Sequence, residues 1–211
     1  MTLQNRVLPT GEITAQPWRG TLMGNRGILH DDRKTLKTRR WQHPHWVTCV
    51  TKYKDWHRNV MQPNAYTELF FLDEPTALAA GHRPCGLCRH ADFTRFKAHF
   101  NAANGTETLI QIDQHMHRDR VTRRRQPLRY NAALAKLPNG CFILHQNQPC
   151  LVWDAFILRH TPAGYAHSLP RPTGQTCVLT PKCTVATLAN GYTPALHPSA
   201  QILLQSGFSS G

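Results

Sequence analysis

The stretch Leu69–Phe93, LFFLDEPTALAAGHRPCGLCRHADF, carries the strongest local structure signals in the chain. Its apolar run, residues 69–72, predicts a short buried strand. Asp73 is a good helix N-cap because its carboxylate can accept hydrogen bonds from free first-turn amides, and Pro75 suits a helix start. Gly81 suits the left-handed position that ends a helix. The stretch therefore predicts a strand, a short capped helix and a glycine stop.

Cys85 and Cys88 follow this helix and form the only Cys-x-x-Cys pair in the chain. Two thiolates on a tight turn are half of the ligand set of many structural zinc sites, so the pair predicts bound Zn²⁺. Two alternatives stay open. The cysteines could be reduced structural thiols, or a redox pair, although a redox pair usually lies at a helix N-terminus, where the dipole lowers a thiol pKa.

The segment 69–90 resembles the second half of the zinc-binding domain of Ada-type alkylation-repair proteins. In that family an apolar strand and a short helix lead into Ala-Gly-aromatic-Arg-Pro-Cys-x-x-Cys, and here the sequence is AAGHRPCGLC. The resemblance implies a zinc module with a connection to nucleic acid. The matching residues are Phe70, Phe71, Ala77, Ala80, Gly81, Arg83, Pro84, Cys85, Cys88 and Arg89.

The family takes its other two cysteines from an upstream strand and turn, whereas this chain has only Cys49 before Cys85. The family's transfer of a methyl group from DNA to an upstream cysteine is therefore not carried over. His57 lies near the position where the family pattern would supply a cysteine, and it is the predicted third metal ligand. The other candidates that stay open are Cys49, His82, His90, His115 and His117.

The charge of the chain favours a polyanionic partner. Lys and Arg number 25 against 12 acidic residues, which gives a net charge of +13. Residues 1–129 hold 21 of the basic and 11 of the acidic side chains. Such a surface attracts nucleic acid first, with DNA preferred here over RNA, and an anionic membrane or acidic protein second. A solvated basic surface without a specific partner is the alternative.

Several features bear on the cellular compartment. No run of eighteen apolar residues is present, and the N-terminal sequence MTLQNRVLPTGE lacks the apolar core of a signal peptide. The seven cysteines, an odd number, suit reduced thiols and a metal site better than a disulfide framework. We therefore expect a cytoplasmic protein that does not span a membrane.

Two arginine-rich segments are the predicted nucleic-acid contacts. Arg39 and Arg40 lie in a basic segment that also contains three tryptophans, and together these residue types can hold phosphates and stack bases. In the segment 118–129, six of the twelve residues are arginine, which is typical of a phosphate-contacting arm or of a solvated linker. The predicted contacts in this segment are Arg118, Arg120, Arg123, Arg124 and Arg125.

The residues 24–27, Gly-Asn-Arg-Gly, lie between two apolar pairs and predict a hairpin turn. An anion-holding glycine loop with Arg26 at its tip is the functional alternative.

Asp113 and His117 are the candidate catalytic residues. The segment 106–120 predicts a strand that turns into a helix, on which these two side chains lie four residues apart on one face. They could share a hydrogen bond that orients the imidazole and raises its pKa, beside an arginine-held phosphate. An ion pair on the helix surface is the plainer alternative.

Together these patterns predict an α+β protein with short strands and few helices. The predicted units are a basic zinc-containing lobe at 1–105, a helix with an Arg-rich segment at 106–136, and a β-rich lobe at 137–211. The predicted function is that of a zinc-containing nucleic-acid-binding protein, in DNA repair or regulation. The alternatives are a metal-assisted nuclease or glycosylase and a protein-interaction adaptor with structural zinc.

Overall fold

The structure is a computed structural model that describes residues 2–56, 59–122 and 126–207, with side chains to residue 205. These ranges contain two sheets and five α-helices, so the predicted α+β class is confirmed. No helix in the described ranges is long and apolar enough to cross a membrane.

The first sheet has the strand order β2-β1-β5-β3-β4-β6 and lies in the N-terminal part of the chain. The pairs β1/β5 and β4/β6 are parallel, and the remaining pairs are antiparallel. Its strands are β1 (Gln4–Val7), β2 (Ile13–Ala15), β3 (Leu22–Asn25), β4 (Val47–Val50), β5 (Leu69–Phe71) and β6 (Arg83–Pro84).

The second sheet is antiparallel throughout and has the order β11-β10-β9-β8-β12-β7. Within the predicted β-rich segment, β8, β9 and β10 form an antiparallel meander. A 3₁₀ turn at Leu134–Lys136 follows β7. The strands are β7 (Tyr130–Ala133), β8 (Phe142–His145), β9 (Gln148–Trp153), β10 (Phe156–Thr161), β11 (Gly164–Pro170) and β12 (Gln175–Val178).

The five helices are α1 (Glu74–Ala79), α2 (His90–Asn104), α3 (Leu109–Arg120), α4 (Lys182–Ala189) and α5 (Pro198–Gly207). The predicted cap of α1 is confirmed, because the Asp73 carboxylate accepts a hydrogen bond from the Thr76 amide at 3.0 Å. Gly81 follows with φ +82°, in the left-handed region that glycine tolerates without strain.

The N-terminus of α3 differs from the sequence prediction. Residues 106–108 form no strand, and the helix begins directly after a capping box. The Thr108 hydroxyl accepts from the Gln111 amide, and the Gln111 side chain accepts from the Thr108 amide at 2.9 Å. These two hydrogen bonds pair amides that would otherwise be free at a helix start. They stabilise the helix, which is why no strand forms here.

The Gly24–Gly27 turn also differs from the prediction. β3 pairs with β4 and β5 instead of with the residues that follow the glycines, so no tight hairpin forms. Arg26 is 3% exposed and lies inside the protein instead of at a loop tip.

The largest hydrophobic cluster joins the predicted units. It contains Phe96 and Phe100 of α2, Met116 of α3, and Ile143 and Val152 of the second sheet, all fully buried. Its members therefore lie on both sides of the proposed boundaries near residues 105 and 136. The three-unit division stays a prediction, with a core that all three share.

Two buried carboxylates at the start of α1 connect the first sheet to the C-terminal segments. Asp73 accepts hydrogen bonds from the Tyr165 hydroxyl at 2.9 Å and from the His197 amide at 3.2 Å. Glu74 accepts from the Tyr192 hydroxyl at 2.7 Å. Burial raises the pKa of Asp73, although its hydrogen bonds oppose that shift. The stretch that dominates the sequence thus also lies at the contact between the two sheets.

His160, on β10, gives the protein a predicted dependence of stability on pH. Burial against Phe142 and Tyr165, together with the charge of His197, lowers its pKa to about 4. Between pH 6.5 and 4, this residue is therefore protonated in the unfolded chain but neutral in the folded chain. The free energy of unfolding should fall by about 3 kcal/mol as the pH drops through that window.

Urea unfolding of the wild type and of His160→Phe between pH 7 and 4 tests this contribution. The variant should lose the contribution of about 3 kcal/mol that His160 makes to the acid-induced destabilisation, while His167→Gln, at an exposed position on β11, should keep it. If the free energy of unfolding falls equally with pH in His160→Phe and in the wild type, the acid sensitivity comes from other groups.

Candidate metal centre and its basic surroundings

Pairing between two distant segments places the cysteines together. In the parallel pair β4/β6, Val47 lies opposite Arg83 and Thr48 opposite Pro84. The Cys85 amide continues this ladder by donating to the Thr48 carbonyl at 2.8 Å. Cys49, the next residue of β4, is therefore held beside the first residue of the Cys-x-x-Cys turn.

The sulfur atoms of Cys49, Cys85 and Cys88 all lie within 4.8 Å of one another. Sulfurs that share a tetrahedral zinc are about 3.8 Å apart, given a Zn–S bond of about 2.3 Å. All three side chains are half-buried, so water and ions can reach them. Three thiol ligands at this spacing are a suitable donor set for a metal ion.

Hydrogen bonding within the cluster already favours a thiolate at one position. The pKa of Cys85 is lowered to about 5, chiefly because the Cys49 thiol donates to its sulfur, and amides such as that of Leu87, at 3.4 Å, add to the effect. The same contact and burial raise the pKa of Cys49, and burial raises that of Cys88. Since the thiolate is the ligating form, the cluster contains a group prepared for a cation.

The turn that carries the cysteine pair is fixed by Arg89. This side chain is buried and donates to Glu74 at 2.6 Å and to the Thr48 hydroxyl at 3.0 Å. It thereby joins the end of the turn to α1 and to β4. A Cβ atom at Gly86 would lie 3.3 Å from the Phe93 ring, so the turn also packs closely against α2.

The structure separates the candidate ligands that the sequence left open. Cys49 joins the pair, whereas His57 lies outside the described residues. His82 is buried and accepts from Arg26 Nε at 3.3 Å. Of the other histidines, His90 contacts the Gly86 carbonyl, His115 contacts the Asp119 carboxylate, and His117 contacts the Arg120 guanidinium.

Asp113 and His117 have different partners. The Asp113 carboxylate is 2% exposed and binds Arg83 through both oxygens, at 2.7 and 2.9 Å. It also contacts His45 Nδ1 at 2.7 Å, while His117 Nδ1 accepts from Arg120. Burial and the Arg120 charge lower the pKa of His117, which is opposite to the increase expected from an Asp113 contact. Their catalytic role stays a prediction.

The predicted nucleic-acid contacts fall into three groups. Arg39, Arg40 and Arg118 are exposed, as a phosphate contact requires. Arg120 is 5% exposed and donates to the Gly81 carbonyl at 2.7 Å, so its position differs from that of a surface contact. The residues 123–125 lie outside the described part of the chain.

A cluster of basic and aromatic side chains was not foreseen from the sequence. The guanidinium carbons of Arg26 and Arg120 lie 4.2 and 3.9 Å from the centroid of the Trp46 ring system. Burial, followed by the charges of these arginines, lowers the pKa of the adjacent His82 well below its usual value. The basic segment with three tryptophans was the available signal in the sequence, but it pointed to Arg39 and Arg40 and not to Arg26 or Arg120.

Comparison with protein-family models, with curated proteins and with solved structures finds no match for this chain. The candidate site is therefore interpreted from its own geometry. Three cysteines from two segments lie close enough together to bind a metal ion.

Proposed function

We propose that this protein is a zinc-containing nucleic-acid-binding protein. The observation that carries the proposal is the cluster of Cys49, Cys85 and Cys88, whose sulfurs lie within 4.8 Å of one another. Thiolates favour Zn²⁺, Cu(I) and iron–sulfur clusters, and the spacing of three sulfurs suits a single tetrahedral ion. His57, only eight residues after Cys49, is the proposed fourth ligand.

The proposed metal role is structural. Four protein ligands close a zinc site, whereas catalytic sites keep one position for water or substrate. A closed site here would join β4 to the turn after β6, in addition to their short parallel pairing and the hydrogen bond from Arg89 to Thr48. The ion would therefore stabilise the edge of the first sheet that β4 and β6 form.

The proposed partner is nucleic acid, with DNA preferred over RNA. The net charge of +13 and the exposed side chains of Arg39, Arg40 and Arg118 support an electrostatic interaction with phosphates. Binding of this kind is independent of sequence, so we propose a role in repair or regulation that does not depend on base readout by these arginines.

The metal content of freshly purified protein tests the central part of the proposal. Atomic analysis should find about one zinc per chain, and His57→Ala should reduce the affinity for the ion. A strong chelator should lower the thermal stability of the wild type, because binding to the folded state is coupled to folding. Wild type that holds no zinc when purified without chelator would contradict the proposal.

The dependence of oligonucleotide binding on salt tests the partner. Each phosphate contact adds roughly 0.7–0.9 to the slope of log affinity against log salt, because contacts release counterions. Replacing residues 123–125 by alanine should reduce the slope by roughly 2–3 for three contacts, and weaken binding to all sequences alike. Fluorescence anisotropy with random oligonucleotides between about 50 and 200 mM salt measures it.

The matched control removes three cations from the C-terminal half, where only four basic residues follow position 129. This variant carries Lys136→Ala, Arg159→Ala and Lys182→Ala. It should bind with the wild-type slope, since the change in net charge is the same but the proposed contacts remain. An unchanged slope in the 123–125 variant would make that run a solvated linker.

A further inference from the structure

A cavity of about 710 Å³ lies beside the Trp46 cluster. This volume is in the range of small-molecule sites, about 300–1,000 Å³. Its charged lining contains a single carboxylate, that of Glu12, among the residues that the structure describes. The arginines that line it are Arg26, Arg39, Arg40, Arg120 and Arg129. The cavity is therefore strongly positive.

Two of these arginines are buried without an acidic partner. Arg26 is 3% and Arg120 is 5% exposed, and neither takes part in an ion pair between described residues. Burial lowers the pKa of each to about 9, and for Arg120 the charge of Arg26 adds to this effect while the charge of Asp113, which forms no ion pair with Arg120, opposes it. Both still carry a proton at pH 7, so two like charges are held close together inside the protein.

Arg26 and Arg120 each have one buried nitrogen without a hydrogen-bond partner among the described residues. Arg26 donates to His82 Nε2 and to the Gly11 carbonyl, but its Nη2 is buried and has no partner in the described part of the chain. Arg120 donates to Gly81 and Pro44 through its terminal nitrogens, while its Nε is likewise unpartnered. A buried guanidinium is costly unless its charge and its N–H groups are compensated.

The contact with Trp46 offsets part of this cost, since a desolvated cation is attracted to the face of an indole ring. It supplies no negative charge. An oxyanion in the cavity would supply that charge beside Arg26 and Arg120, which both line the cavity, and guanidinium groups bind phosphate and carboxylate oxygens through charge-assisted hydrogen bonds.

We propose that this cavity binds the phosphate group of a nucleotide-sized ligand, held by Arg26 and Arg120. The choice of phosphate over another oxyanion rests on the proposed nucleic-acid function, whereas the anion site itself rests on the two unpaired arginines. The exposed Arg39 and Arg40 at the same cavity would contact further anionic groups of the ligand. The zinc ion takes no part.

Thermal unfolding in the presence of inorganic phosphate and of a 5′-mononucleotide tests the site. At about ten times Kd, each ligand should raise the Tm by roughly 3–6 °C above a sodium chloride control of equal ionic strength. Citrate serves as the carboxylate probe and should give a smaller rise. No rise with either phosphate ligand, or a larger one with citrate, would overturn the proposal.

Arg26→Met is the decisive variant. It should lose the increase in Tm that phosphate produces in the wild type. The control is Arg171→Met, a partly buried arginine that donates to the carbonyls of Leu134 and Leu137 and does not line the cavity. This control should keep the full rise. A full increase in Tm in Arg26→Met would place the phosphate elsewhere.

If that variant does not fold, the double variant Arg39→Ala/Arg40→Ala provides the test. Its affinity for phosphate, measured by calorimetry, should be several-fold weaker than that of the wild type. An unchanged affinity would count against the site.

Oligonucleotides with and without a 5′-phosphate separate the sources of the phosphate. Tighter binding of the phosphorylated strand would identify a strand end as the ligand, and tight binding of the mononucleotide alone would identify a free nucleotide. Both results support the site. Salt-dependent binding of the unphosphorylated strand tests the proposed function separately, so either proposal can fail while the other holds.

Discussion

Replacing Cys85 by serine is expected to reduce the zinc content from about one per chain to nearly none. The loss of a structural metal is among the few single changes that destabilise a protein by about 4 kcal/mol or more. For a chain of this length that corresponds to a fall in Tm of roughly 8–16 °C. Cys49→Ser should behave in the same way, because its sulfur belongs to the same cluster.

Cys177→Ser provides the matched control for these variants. Cys177 is half-buried, as the cluster cysteines are, but it lies on β12 and outside the cluster. It should keep the metal and unfold within a few degrees of the wild type. Zinc retained at full occupancy by Cys85→Ser or Cys49→Ser would show that the three sulfurs do not form the site.

The α1 segment shows why part of the fold could be predicted from the sequence. Asp73 and Thr76 are three residues apart, and Gly81 directly follows the helix C-cap. Signals of this kind depend on contacts within one turn, so they hold whatever surrounds the helix. The Thr108–Gln111 capping box is equally local and marks the start of α3, where the sequence analysis instead predicted a strand.

The third cysteine could not be assigned in this way. Cys49 and Cys85 are brought together by the parallel pairing of β4 with β6, across 36 positions of sequence. No local spacing encodes such a contact, and the chain offers 13 histidines as competing ligands. The buried arginines were missed for a related reason, since only tertiary packing against Trp46 separates Arg26 and Arg120 from solvated surface charges.

Replacing Asp113 by asparagine should cost about 3–5 kcal/mol of unfolding free energy. The surface-pair hypothesis predicted at most about 1 kcal/mol, the usual value for an exposed ion pair. The side chains of Asp113 and Arg83 are instead only 2% and 5% exposed, and they form a bidentate salt bridge. An amide has only one acceptor oxygen and no charge, so the variant leaves the Arg83 guanidinium buried and under-compensated.

Two further variants identify the origin of the loss. Arg95→Met breaks the exposed pair with Asp92, which has a similar length of 2.8 Å, and should cost no more than about 1 kcal/mol. Arg83→Met/Asp113→Leu removes both buried charges and should recover most of the stability, because apolar replacements of a buried pair are often neutral. Chemical denaturation measures all four proteins, and a strand-cleavage assay on the same samples tests catalysis. Wild-type stability with lost cleavage in Asp113→Asn would contradict the structural role and support the predicted catalytic one.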